Sequence, residues 1–318
     1  MADVALTSAH AEATRPYAAG SSRLHARRRR ETIFIVAGLA STLVGLITLA
    51  LLLIDLGAAG LPRLSWEFFT SFPSRRAGQA GILSAWVGSL LVILVTGLIG
   101  VPLGVGAGIY LEEYARKNWI TGIIEINVTN LAAVPSIVYG LLALGLFVYG
   151  LGTGRSIFTA GLTLALLILP IVIVATREAI RAVPWGIREA AYGIGATKGQ
   201  VTRDHVLPAA LPGVLTGVII GLSRALGETA PLITIGALTF IAFLPSPPIM
   251  GEFPYVSFAW LFDSFTVLPI QAFNWISRPG DDFHANAAAA GLVLLLLTLS
   301  LNTVAITLRY RLRKKLQW

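Results

Sequence analysis

Arginine and glutamate stand four residues apart in the run LSRALGETAPL (Leu222–Leu232), within a stretch that is otherwise apolar from about residue 212 to 243. At 1.5 Å per residue from Pro212, Arg224 falls roughly 18 Å into a helical span, well inside a hydrocarbon core of about 30 Å. A charge at that depth costs at least about 2.5–3.5 kcal/mol, so such residues face a cavity or the interior of a bundle. The i,i+4 spacing lets Arg224 and Glu228 pair on one helix face. Two chemistries are open. The pair can be structural, locking two helices together. Alternatively it lines an anion pathway: the guanidinium fork suits phosphate oxygens. Glu228 would then orient the arginine, or accept a hydrogen bond from a protonated phosphate, a proton that sulfate lacks at neutral pH. Ser223 and Thr229 are candidate hydroxyl ligands. Gly227 and Pro231 flank Glu228 and are expected to break the helix, as in the interrupted helices that line substrate sites at mid-membrane.

Other chemistries find no residues to carry them. The chain has no cysteine, and His10, His25, His205 and His284 make no metal-ligand spacing. GVPLGVGAG (Gly100–Gly108) lacks the Lys-Ser/Thr of a phosphate loop; Gly100, Gly104 and Gly108 instead fit close helix packing. GLGTGRS (Gly150–Ser156) fails the nucleotide pattern too. No cofactor is expected on this chain.

The elements that must position the pair are membrane helices. Of 318 residues, 55% are hydrophobic and 13% charged, with mean hydropathy +0.77, whereas soluble domains carry about 25% charged residues. Six apolar runs have spanning length: 32–54, 83–110, 126–150, 157–176, 212–243 and 287–308. Residues 1–31 are expected to be a disordered basic cytoplasmic tail, 32–55 the first transmembrane helix, 80–310 the core domain and 311–318 a second basic cytoplasmic tail. With both termini inside, eighteen of the 24 Lys and Arg fall in cytoplasmic segments and five outside, with Arg224 left within a span. That distribution follows membrane topology, so the net charge of +8 does not point to nucleic acid. The outer segment 244–287, rich in aromatics such as Phe253, Tyr255, Trp260 and Trp275, reads as an interfacial helix plus loop, or as a docking surface at the outer mouth.

Between the fourth and fifth spans lies REAAYGIGATKGQVTRDHVLPAALPG (Arg188–Gly213), too charged to insert. Pro184 suits the first turn of a helix over about Trp185–Gly193, with Trp185, Ala190, Ala191 and Ile194 sharing a face. Gly193 and Gly195 can end it in left-handed conformation. Thr197 can cap a second short helix to about Val206, before Pro208 and Pro212 reset the direction. The expectation is a cytoplasmic helix–turn–helix over about 184–206.

Glu189-Ala190-Ala191, Gly195 and Leu207-Pro208 resemble the EAA loop of ABC-importer permeases, His205 being a departure where that pattern favours an apolar residue. In that family the loop is a coupling helix seated in a cleft of a cytoplasmic ATPase. The small alanines would let it enter closely, and Glu189 could meet a basic partner residue. Over about residues 80–318, EINVTNLAAVPSIVYGLLALGLFV (Glu125–Val148), VLPIQAFNWISRP (Val267–Pro279) and NAAAAGLVLLLLTLSLNTVAITLRYRLRKK (Asn286–Lys315) narrow the resemblance to permease subunits of bacterial phosphate importers. The resemblance implies an all-α, six-span type I ABC importer (MetI-like) fold in the bacterial plasma membrane. It implies inorganic phosphate as cargo, a homologous second permease, an ATPase dimer holding ATP and Mg, and a periplasmic phosphate-binding protein. It places Arg224 and Glu228 on the translocation path, with Arg177 and Arg181 as candidates for the exit, and no covalent chemistry on this chain. The alternatives are a permease for another oxyanion or small solute, a secondary phosphate transporter, and a membrane scaffold.

Overall fold

The computed structural model describes residues 16–247, 249 and 255–315. Among them there is no strand, only an isolated antiparallel bridge between Ile249 and Val256. The chain divides into two compact units, residues 1–55 and 56–318.

The first unit is built on helix α1 (Pro16–Gly60), 45 residues long, whose apolar run is the expected first span. Residues 16–31, expected as disordered tail, are helical; residues 1–15 lie outside the described residues. The physical reason is propagation. Nucleation is the costly step, and Leu, Ala and Arg are good helix formers that extend a turn already fixed by the span.

In the second unit, α2 (Leu83–Ile109) passes through Pro102 and opens into a π turn at Tyr110–Tyr114. The third apolar run is not one helix. It comprises α3 (Trp119–Leu131) and α4 (Ser136–Ala143, continued by a π segment to Gly150), bent by 107°. Pro135 explains the break: it has no N–H to donate and disfavours helical backbone at Val134. Helix α5 (Ile157–Arg181) runs unbroken through Pro170. It is followed by α6 (Trp185–Gly193) and α7 (Leu207–Gly227). Then come α8 (Ala230–Thr234), α9 (Leu268–Ile276) and α10 (Asp281–Lys315). Five helices among the described residues are long and apolar enough to cross a membrane, six with the bent pair.

The span most buried in its neighbours is α5. Lipid tails are as apolar as leucine, so what draws helices together there is close packing, which small residues allow. Gly100, Gly104 and Gly108 of α2 press on Ile168, Val172 and Thr176; a Cβ at Gly104 would lie 2.8 Å from that of Val172. On another side, Gly213 and Gly217 of α7 meet Ala179 and Ala175, and Gly221 meets Ile168 and Val172. Two glycine stripes thus dock α2 and α7 onto one helix.

The aromatics of the segment 244–287 divide between core and surface. Trp260, Phe265 and Trp275 are buried, Tyr255, Phe258, Phe262 and Phe273 are exposed, and Phe253 lies outside the described residues. α9 carries Leu268, Ile270 and Trp275 into the core rather than lying on a surface.

Candidate functional site

Arg224 occupies the last turn of α7, which ends at Gly227. Glu228 caps it with extended backbone (φ −76°, ψ 131°), and α8 restarts at Ala230 with Pro231 in its first turn. The helix therefore breaks where Gly227 and Pro231 predict. Arg224 Nε donates to Glu228 Oε1 at 3.2 Å, with 40% of the arginine side chain and 17% of the glutamate exposed. The negative end of the helix dipole favours the guanidinium at this position. A half-exposed fork keeps donors free for a further anion. The second break lies beside the first: Gly140 of α4 abuts Pro231 and Thr234, and the Tyr139 hydroxyl donates to the Leu131 carbonyl at 2.8 Å, satisfying the end of α3.

The two hydroxyl candidates differ. Thr229 lies in the break itself, its side chain capping nothing. Ser223 turns toward α10, donating to Asn302 Oδ1 at 2.6 Å, in the lining of an apolar cavity of about 470 Å³ formed with Leu222, Leu226 and Thr298. It is not gathered around Arg224.

At the Arg181 end of α5, Arg177 is buried and pairs with Glu112 (3.4 Å) and Glu125 (2.8 Å). Arg181 pairs with Glu112 and Glu178, both at 3.0 Å. Arg177, Arg181, Glu112 and Glu125 line a cavity of about 650 Å³ together with Lys117 and Asn118. Arg177 is enclosed beside its carboxylates, whereas Arg181 keeps 53% of its side chain exposed. The partners Glu112 and Glu125 were not singled out by sequence. LEEYARK (Leu111–Lys117) carried the signal: two acids at the end of a span, opposite a basic turn.

In the loop between α5 and α7, α6 ends in a Schellman motif. Gly195 takes φ +86°, its N–H reaches the Tyr192 carbonyl at 2.9 Å, and the Ala196 N–H reaches that of Ala191 at 3.1 Å. Gly193 stays helical. Thr197 forms a capping box with Gln200 as the next helix starts at Lys198. That helix does not stop at Val206. A π turn (Val201–Val206) carries it directly into α7, so Leu207 and Pro208 are half-buried residues of a continuous helix, with His205 exposed on the turn before them. π turns accommodate an interrupted hydrogen-bond ladder, which Pro208 and Pro212 impose just beyond. The faces of α6 also differ from expectation. Arg188 and Ala191 are buried, Ala191 among Ile180, Val201 and Val206, while Glu189 and Ala190 are exposed with Trp185, Ile187, Tyr192 and Ile194. Only Ala190 of the two alanines is outward.

This fold is that of the membrane subunit of an ABC importer. It superposes on a chain of the MetNI methionine ABC transporter in an inward-facing conformation, with a TM-score of 0.55 over 71% of this chain and 93% of that one, at 18% identity. Residues 100–318 match the family described as binding-protein-dependent transport system inner membrane component, and the chain belongs to that family. It is 37% identical over 212 residues (65% of this chain, 70% of the relative) to the phosphate transport system permease protein PstA of Yersinia pestis. The PstA of Pasteurella multocida is 31% identical over 265 residues, covering 82% and 91% of the two chains.

Proposed function

We propose that this chain is the PstA-like permease subunit of an ATP-driven importer of inorganic phosphate, working by alternating access. The observation that carries the reading is a half-exposed Arg224–Glu228 pair at the break of an otherwise apolar span. The arginine offers a fork for phosphate oxygens; the glutamate competes for that fork, so the anion is held but can leave, and accepts a hydrogen bond from a protonated phosphate. Thr229 adds a hydroxyl. Ser223 serves helix contact instead. Arg177 and Arg181, held by carboxylates, form an ion-pair gate at the exit rather than free anion ligands.

An open pair needs a second wall, which a homologous permease (PstC-like) supplies. The termini, α6 and its turn lie on the cytoplasmic side of the bacterial plasma membrane, where basic segments concentrate. There the exposed face of α6, with Glu189, Ala190 and Gly195, meets a PstB-like ATPase dimer that holds ATP and Mg; this chain hydrolyses nothing. On the opposite side the complex receives phosphate from a PstS-like binding protein.

The test is Arg224→Gln in the complete complex. Uptake of radiolabelled phosphate is expected to fall to background while the complex assembles at normal yield. A variant that fails to assemble, or that transports normally, returns the pair to a structural role.

A further inference from the structure

Helix α6, the lever of the proposed coupling, is tied to the spans by a buried charge pair. Arg188 of α6 is 5% exposed, yet it belongs to the segment whose neighbours face solvent. Its guanidinium makes four directed bonds. Nη1 donates to the Val183 carbonyl (2.8 Å) and Nη2 to that of Ile180 (3.0 Å), closing the end of α5. Nη2 and Nε reach Glu113 Oε1 at 2.8 and 3.3 Å, and both side chains of this pair are more than nine-tenths buried. Glu113 sits in the π turn that continues α2. Its neighbours on that turn reach other segments: Glu112 holds Arg177 and Arg181 of α5, and the Tyr114 ring lies 5.2 Å below Lys198 Nζ, beyond the Gly195 turn.

We infer that the Glu113–Arg188 pair is the joint through which the lever moves the second span. The inference rests on the reading of α6 as the coupling helix. The other buried residue of α6 is Ala191, whose apolar packing is non-directional and tolerates sliding. A buried ion pair does not: separating it leaves a charge unpaired in a low-dielectric surrounding. A displacement of α6 therefore carries the π turn with it, and α2 behind the turn. Further along, α2 passes the segment that bears the charged pair, where a Cβ at Gly97 would lie 3.7 Å from Leu222. Arg188 is thus a positioning residue acting through Glu113, and neither touches substrate or nucleotide. The single wide turn is suited to the task, since π turns are found where a helix is interrupted at functional sites.

The measurement is phosphate taken up per ATP hydrolysed by the complete reconstituted complex, which a merely structural role, lowering yield alone, leaves unchanged. Glu113→Gln keeps the shape of the side chain and removes its charge. It is expected to assemble and hydrolyse ATP while the ratio falls by at least about fivefold, the lower end of ordinary coupling between sites. Arg188→Lys keeps the charge but cannot fork across Glu113 and two carbonyls, and is expected to fall between. A wild-type ratio in Glu113→Gln overturns the inference; if that variant does not assemble, a wild-type ratio in Arg188→Lys does so. Gly195→Val, at a left-handed position with open space around it, serves as the control on the lever itself. If its ratio falls and that of Glu113→Gln does not, the joint is wrong and the lever stands. If neither falls, the lever reading fails and the joint with it.

Discussion

Arginines do four different jobs in this chain, and surroundings rather than residue type decide which. Arg224 is half-exposed with a single carboxylate. Arg177 and Arg188 are buried: Arg188 bonds Glu113 and two carbonyls through all three nitrogens, while Arg177 pairs with Glu112 and Glu125 and leaves its Nε without a hydrogen bond. Arg63 is a staple: it donates to Asn286 Oδ1 at 2.6 Å and to the carbonyls of Ala77, Gly78 and Ala80, with Phe68 beneath its guanidinium. Arg75 and Arg76, about a dozen residues on, are exposed. Hydrogen bonds to charged groups contribute about 1.5–3 kcal/mol each. Arg63→Ala is therefore expected to lower the melting temperature of the purified protein clearly, and Arg75→Ala or Arg76→Ala to leave it unchanged. Equal effects from the three would contradict the distinction. In the sequence these residues differ only by position. A charge count reads them all as topology markers, and their partners lie up to 223 positions away.

Elements were more legible, and where they were misread the cause is local. Five of the six apolar runs contain helices of spanning length, because a run of some twenty apolar residues has few other ways to satisfy its backbone in lipid. The break at Pro135 is hidden because averaging over LAAVPSIV still gives an apolar run. The break at Glu228 is visible because a charge draws the eye to the glycine and proline around it. On α6 the expected face of Trp185, Ala190, Ala191 and Ile194 divides: burial of Arg188 takes Ala191, three residues on, inward with it and leaves the other three outward. The second glycine stripe, GVLTGVIIG (Gly213–Gly221), carries the same four-residue spacing as the first and dictates how α7 seats on α5. Gly217→Leu would drive a side chain into Ala175. Overpacking of this kind costs about 1–3 kcal/mol. A drop in melting temperature is expected for Gly217→Leu and none for Gly186→Leu, which has open space around it. Indistinguishable melting curves would contradict the packing assignment.

At the scale of the whole molecule, the two breaks, the ion-pair cluster at the end of α5 and the lever lie on a single thread of contacts within residues 56–318. The half-exposed Arg224–Glu228 pair looks out of this unit, and so does the apolar face of α6. On the proposed reading, a second permease encloses the anion, an ATPase drives α6, and this chain passes phosphate only as part of that complex. That dependence is tested most directly by radiolabelled phosphate uptake into vesicles holding the complete complex, with and without ATP, against an excess of sulfate or molybdate. Uptake is expected to require ATP and to survive both competitors, because neither carries at neutral pH a proton with which to donate a hydrogen bond to Glu228. ATP-independent uptake by this chain alone, or phosphate uptake abolished by sulfate, would contradict it.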